Sequence, residues 1–175
     1  MNTTNYEDEV STGWIENLAL EEINMDESGI VHINDHLDPS AFLDESSIEF
    51  MDRIREKFEA FVAKFNEFRG GPHQNSQIKI FKISNTVNDF MLFRNSLRLI
   101  ISRKARDLIS ISFSFQGKEY FSNRLNREDP ASYNTEIRAA IGPFNNIIWK
   151  FKGEPFDLDS MSRHFLTEFI RNSAR

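Results

Sequence analysis

No cysteine occurs anywhere in the 175 residues. Disulfides, thiolate nucleophiles, zinc–thiolate sites and iron–sulfur clusters are therefore excluded, and so is a small disulfide-stapled scaffold. Basic residues are missing from the whole of the first fifty positions, which leaves the opening MNTTNYEDEV without the charged n-region of a signal peptide. No apolar run approaches the 18 or more residues that a spanning helix requires. The expected address is the cytoplasm, with no membrane partner. The phosphate cradles G-x-x-x-x-G-K-[ST] and G-x-G-x-x-G do not occur, nor do G-x-S-x-G or H-E-x-x-H. No catalytic residue and no cofactor is assigned.

What is present is a sharp division of charge. Residues 1–50 hold thirteen Asp or Glu and no Lys or Arg, so the remaining residues carry 27 − 13 = 14 acids and all 21 bases. An arm at −13 is joined to a body at +7, within a chain of net charge −6. Residues 1–45 lack sustained periodicity and are rich in Asn, Asp, Glu, Ser and Thr; the expectation is an acidic, mostly disordered arm, followed by one domain over 46–175. Within the arm, Trp14, Leu18 and roughly Ile15 fall on one helical face, which suits a short helix docking in a groove. Gly29 to Ile33 alternates as a short edge strand would.

The body opens at Asp44-Glu45-Ser46-Ser47, where Ser46 and Glu49 have capping-box spacing. Met51, Ile54, Phe58, Phe61, Val62, Phe65 and Phe68 then recur at three- and four-residue steps, predicting a long amphipathic helix over about 46–69 that Gly70-Gly71-Pro72 ends. From Gln77 the period changes to two. Ile78 and Ile80, then 90–94 and 97–101, read as strands with a turn at Asn95-Ser96, although 90–101 also fits helical spacing. Ile109 to Phe115 alternates large apolar residues with three serines, as a half-buried antiparallel strand does. Gln116 to Lys118 would turn into a strand near Tyr120. Pro130 is placed to open a shorter helix running to Ile141, Ile147 to Phe151 reads as a strand, and Leu158, Met161, Phe165, Leu166, Phe169 and Ile170 mark a second long amphipathic helix over about 158–172. The fold class is α+β, with a largely antiparallel sheet and three helices packed on its apolar face. Most of the 17 phenylalanines fall at inward positions of these elements.

Two constellations bear on function. His32 and His36 have the i, i+4 spacing of a metal-binding pair, but they lie in a strand-to-loop segment rather than on a helix, so no metal site is assigned. The stronger cluster is basic: Arg94, Arg98, Arg103, Lys104 and Arg106, with Lys79, Lys82, Lys118 and Arg124 on neighbouring elements. If 90–103 is paired strand, Arg94 and Arg98 project away from the apolar positions and join a positive face. These residues describe a non-enzymatic interaction domain, an adaptor or regulator of another protein, whose acidic arm masks a basic sheet face through Trp14, Ile15 and Leu18. A nucleic-acid-associated protein using Arg94 to Arg106 is the alternative, and a small enzyme without a recognisable motif the third.

Overall fold

The computed structural model describes residues 12–30, 39–70, 77–115 and 134–174. Two compact units divide the chain, Met1–Asp38 and Pro39–Arg175. In the first, helix α1 spans Gly13–Ser28 and ends on Gly29, whose left-handed φ of 66° lets its N–H reach the Met25 carbonyl. No residue of α1 is buried. Its carboxylates, Glu16, Glu21, Glu22, Asp26 and Glu27, meet no basic residue on the helix. The edge strand expected from Gly29 falls mostly on residues outside those described, as do His32, His36, Lys118, Tyr120 and Arg124.

The second unit is α+β. Helix α2 runs Pro39–Arg69, a seven-stranded antiparallel sheet follows, and helix α3 spans Leu158–Ser173. The strands are β1 (Lys79–Lys82), β2 (Phe90–Arg94), β3 (Leu97–Ala105), β4 (Leu108–Phe115), β5 (Asn134–Ile141), β6 (Ile147–Phe151) and β7 (Glu154–Pro155), each paired with its neighbours in chain order. Helix α2 begins seven residues before the capping signal at Ser46, at Pro39, whose fixed φ and missing N–H suit a first helical position. Asn95 adopts φ 56° and makes the β2–β3 turn, so 90–101 is a hairpin and not a helix.

One expected element is corrected. The helix placed from Pro130 to Ile141 is, over Asn134–Ile141, strand β5. Two alanines and a leading proline gave the segment its helical look, yet Ile109 opposite Ile137 and Trp149 opposite Ala139 fix it between β4 and β6. Pairing with two neighbours outweighs local propensity here.

The core lies between the helices and one face of the sheet. Phe50, Met51, Ile54, Phe58 and Val62 of α2 and Phe165, Leu166 and Phe169 of α3 meet Phe90, Leu92, Leu97, Leu99, Ile101, Ile109, Ile111, Phe113, Ile137 and Trp149. Phe58 meets Phe90 edge-on at 6.2 Å, Phe113 lies 6.3 Å from Phe165, and Phe50 stacks on Trp149 at 4.9 Å. Ahead of β1, Asn66 of α2 pairs through both atoms of its amide with the backbone N–H and C=O of Ile78, at 2.9 Å each. That pair fixes the place where the sheet begins.

Two turns after β5 use positive φ. Lys152 and Gly153, at 49° and 84°, form the two-residue β6–β7 turn. Between β5 and β6, Phe144 and Asn145 are both left-handed, at φ 56° and 57°. For a residue with a Cβ that conformation costs roughly 1–2 kcal/mol, and Phe144 offsets none of it by burial, since its side chain is fully exposed. The loop closes through the Gly142 N–H to the Asn146 carbonyl at 2.6 Å, and a Cβ on Gly142 would stand 3.1 Å from the Ile148 side chain.

Candidate functional site: the outer face of the sheet

The five arginines and lysines of the basic cluster do not share one surface. Arg94 follows Phe90 and Leu92 at steps of two, so it points with them to the inner face and is 5% exposed. Its Nη1 donates to the Ile170 carbonyl and to Ser173 Oγ, both at 3.3 Å, and its guanidinium sits 5.2 Å from the Phe65 ring. Burial, aided by the nearby charge of Arg69, lowers its pKa below the ordinary arginine value. The expectation that Arg94 projects away from the apolar positions is corrected: it is a clamp on the last turn of α3. Asn95 adds a second tie there, its Nδ2 donating to the Ser173 carbonyl at 2.5 Å.

Arg103 is also engaged within the fold. Its Nε donates to Ser47 Oγ at 2.7 Å, its Nη2 pairs closely with the Asp44 carboxylate, and its backbone N–H donates to Asp89 at 2.9 Å. A register shift between Arg103 and Ala105 re-aims the strand at this point. Lys104 and Arg106 are exposed at the β3–β4 turn, with Arg106 Nε 3.8 Å from Asp44. Arg94 lies beside the opposite turn of β3, about 20–30 Å away at the rise of an extended strand.

Arg98 projects from the face opposite the helices, and the register shows what it meets there. Across the sheet run the rows Lys79, Phe93, Arg98 and Ser114; then Phe81, Met91, Ile100, Ser112 and Asn134. Farther along come Ser102, Ser110 and Glu136, then Leu108, Arg138, Lys150 and Pro155. The β1–β3 quarter of this outer face is thus apolar, with Phe81 43% exposed and Met91, Phe93 and Ile100 half-buried. Lys79 and Arg98 border it. The Arg98 guanidinium lies 6.0 Å from the Phe93 ring, and its buried Nε meets no acceptor among the described residues. Arg138 and Lys150 form a second basic spot beside a groove of about 520 Å³ over β5 and β6.

Among the outward register positions of the described strands, the single carboxylate is Glu136, 3.6 Å from Arg138. Asp89, just ahead of β2, is engaged by Ser102 Oγ at 2.7 Å and by the Arg103 N–H. The outer face therefore offers apolar contact and cationic donors with little competing negative charge. Such a surface is equipped to hold a ligand that is both apolar and acidic, and among the described residues it brings no nucleophile and base together. The sequence reading missed Phe81, Met91 and Phe93 as members of this face, although the alternation that places Phe90 and Leu92 inward places them outward. Trp14, Ile15 and Leu18 stand on α1 at 63%, 47% and 46% exposure. Among the described residues no helix is long and apolar enough to cross a membrane. Comparison with protein families, curated proteins and solved structures finds no match for this chain, so its own geometry is the guide to its function.

Proposed function

We propose that this chain is a non-enzymatic cytoplasmic interaction domain, an adaptor or regulator, whose outer sheet face receives an acidic, apolar segment of another protein. The acidic N-terminal arm is the chain's own competitor for that face. One observation carries the reading: Arg98 stands among Phe93, Met91 and Ile100 with a buried Nε that lacks an acceptor among the described residues. A buried unmet donor is costly, and turning the Arg98 side chain outward onto a partner's carboxylate would relieve it. Helix α1, with five carboxylates and exposed Ile15, Leu18 and Ile23, has the complementary chemistry.

The test is a titration of a fluorescent peptide of residues 12–30 with the full chain, in which Ile15, Leu18 and Ile23 are replaced by Ser to silence the tethered copy. Binding should occur at low salt, and Lys79→Glu/Arg98→Glu should weaken it at least about tenfold, since each lost charge-assisted contact is worth about 1.5–3 kcal/mol. Absent binding, or binding indifferent to the charge reversal, would overturn the reading. A second reading has its own support. Phe81 and Phe93 beside Lys79 and Arg98 form a platform on which the bases of a single-stranded nucleic acid could stack. Salt-sensitive binding of oligothymidylate, lost on Phe93→Ser, would favour it.

A further inference from the structure

The free edge of β1 is a second surface, distinct from the outer face of the sheet. Among the described residues β1 is the first strand of the meander and pairs only with β2. The Ile83 N–H donates to the Asp89 carbonyl at 2.9 Å, one step beyond the pairing of Lys82 with Phe90. Bonded and non-bonded pairs alternate along an antiparallel ladder, so Lys79, Phe81 and Ile83 turn their backbone groups to β2, whereas Ile78, Ile80 and Lys82 turn theirs to the open edge. The bonds at Ile78 match that parity: the Asn66 amide gives one and takes one there, each 2.9 Å, as a neighbouring strand would. After Lys82 the chain leaves the edge, with Asn85 left-handed at φ 63° and Thr86 Oγ1 on the Ile83 carbonyl. Ile80 and Lys82 thus each present an N–H and a C=O that meet no partner among the described residues.

The side chains select the occupant. Lys79, Ile80, Phe81 and Lys82 run cation, apolar, apolar, cation, with both lysines exposed and Phe81 43% exposed. Opposite them in β2 stand Phe93, Leu92, Met91 and Phe90, which bring no carboxylate to neutralise the pair. A second copy pairing antiparallel through the open groups would set Lys82 directly or diagonally against its own counterpart, and like charges there are destabilising. A nucleic acid has no ladder of alternating N–H and C=O groups to offer. We propose that this edge receives an extended segment of another protein as an added strand, hydrogen-bonded to Ile80 and Lys82 and running acid, apolar, apolar, acid. The lysines that guard the edge against self-pairing then choose its partner, and the Asn66 amide marks where the added strand must stop.

The pattern reads the same in both directions, so an end-blocked hexapeptide Thr-Glu-Val-Val-Glu-Thr is a suitable probe. Titrated at low salt into the isotope-labelled full chain, it should slow amide exchange at Ile80 and Lys82 at least about fivefold, while the same peptide with Lys for Glu should not bind. Lys82→Pro removes an N–H that serves no bond to β2, which an edge strand tolerates, and should weaken binding at least about tenfold more than Lys82→Ala does. Arg98→Glu, two strands away, should change it by less than about twofold at physiological salt. Absent binding, protection that misses Ile80 and Lys82, or equal affinity of the proline and alanine variants would overturn the inference. A peptide lost on Arg98→Glu with both amides still exchanging freely would place it on the outer face instead, which overturns the added strand while supporting that face as a docking surface.

Discussion

Replacing Arg94 separates a structural arginine from a binding one. The contacts of its guanidinium include two long hydrogen bonds, each 3.3 Å, to the end of α3, and a cation–π contact at 5.2 Å. Bonds from a charged donor at this length are worth about 1 kcal/mol each, and a desolvated cation–π contact adds about 1 kcal/mol. Relief of the cost of burying the charge offsets a part, while truncation also removes the packed stem. Arg94→Ala should therefore lose about 2–3 kcal/mol. For a domain of this size that is roughly 8–12 °C in Tm. Arg94→Met keeps the stem and removes the buried charge, so its loss should stay below about 1 kcal/mol. Thermal and urea unfolding followed by circular dichroism gives both values, and hydrogen exchange should show the change concentrated at Ile170 to Ser173. An Arg94→Ala protein within about 0.5 kcal/mol of wild type would refute the reasoning, and loss of partner binding without loss of stability would return Arg94 to the binding surface.

Other outcomes follow from the same contacts. Phe113→Ala and Phe165→Ala should each cost about 3–5 kcal/mol, and the double variant should fall short of the sum by about 0.5–1.5 kcal/mol, because the two rings touch; urea unfolding of the cycle measures this. Lys104→Ala and Arg106→Ala should each shift stability by less than about 0.5 kcal/mol, whereas Arg103→Ala, which frees Ser47 and Asp44, should cost about 1–3 kcal/mol. Asp157 caps α3, and its pKa is lowered chiefly by the Ser160 backbone N–H at 2.8 Å and then by the Ser160 hydroxyl at 2.9 Å. A depressed carboxylate stabilises above its unfolded pKa and ceases to do so as pH falls through the folded one. Asp157→Ala should accordingly melt lower than wild type at neutral pH, with the difference in Tm vanishing in acid.

The elements legible from sequence were those whose period repeats without interruption. Phe58, Val62 and Phe65 spell out α2, Phe165 and Phe169 spell out α3, and Ile109 to Phe115 is strand by alternation alone. Strand β5 was not legible, because Ile137 is the only buried large residue in it and its identity comes from neighbours distant in sequence. Arg94 shows a different failure. Its parity with Phe90 and Leu92 marked it as inward, but a charge is expected outside unless a partner is known, and Ile170 and Ser173 lie at the far end of the chain. The outer face suffered in turn, since Phe93 and Met91 were counted as apolar residues and not assigned to a side.

The sheet is a meander in which every strand pairs with the one just before it, so hairpins can form in order as the chain leaves the ribosome. The helices that cover it are separated by the whole of that sheet. Helix α2 is made first and α3 last, and α3 contacts both α2 and β3. Until the 16 residues of α3 emerge, Phe113 and its neighbours have half a lid. A nascent chain stalled before Leu158 would present a wet, apolar sheet face to the cell, the kind of surface that invites aggregation until α3 is added.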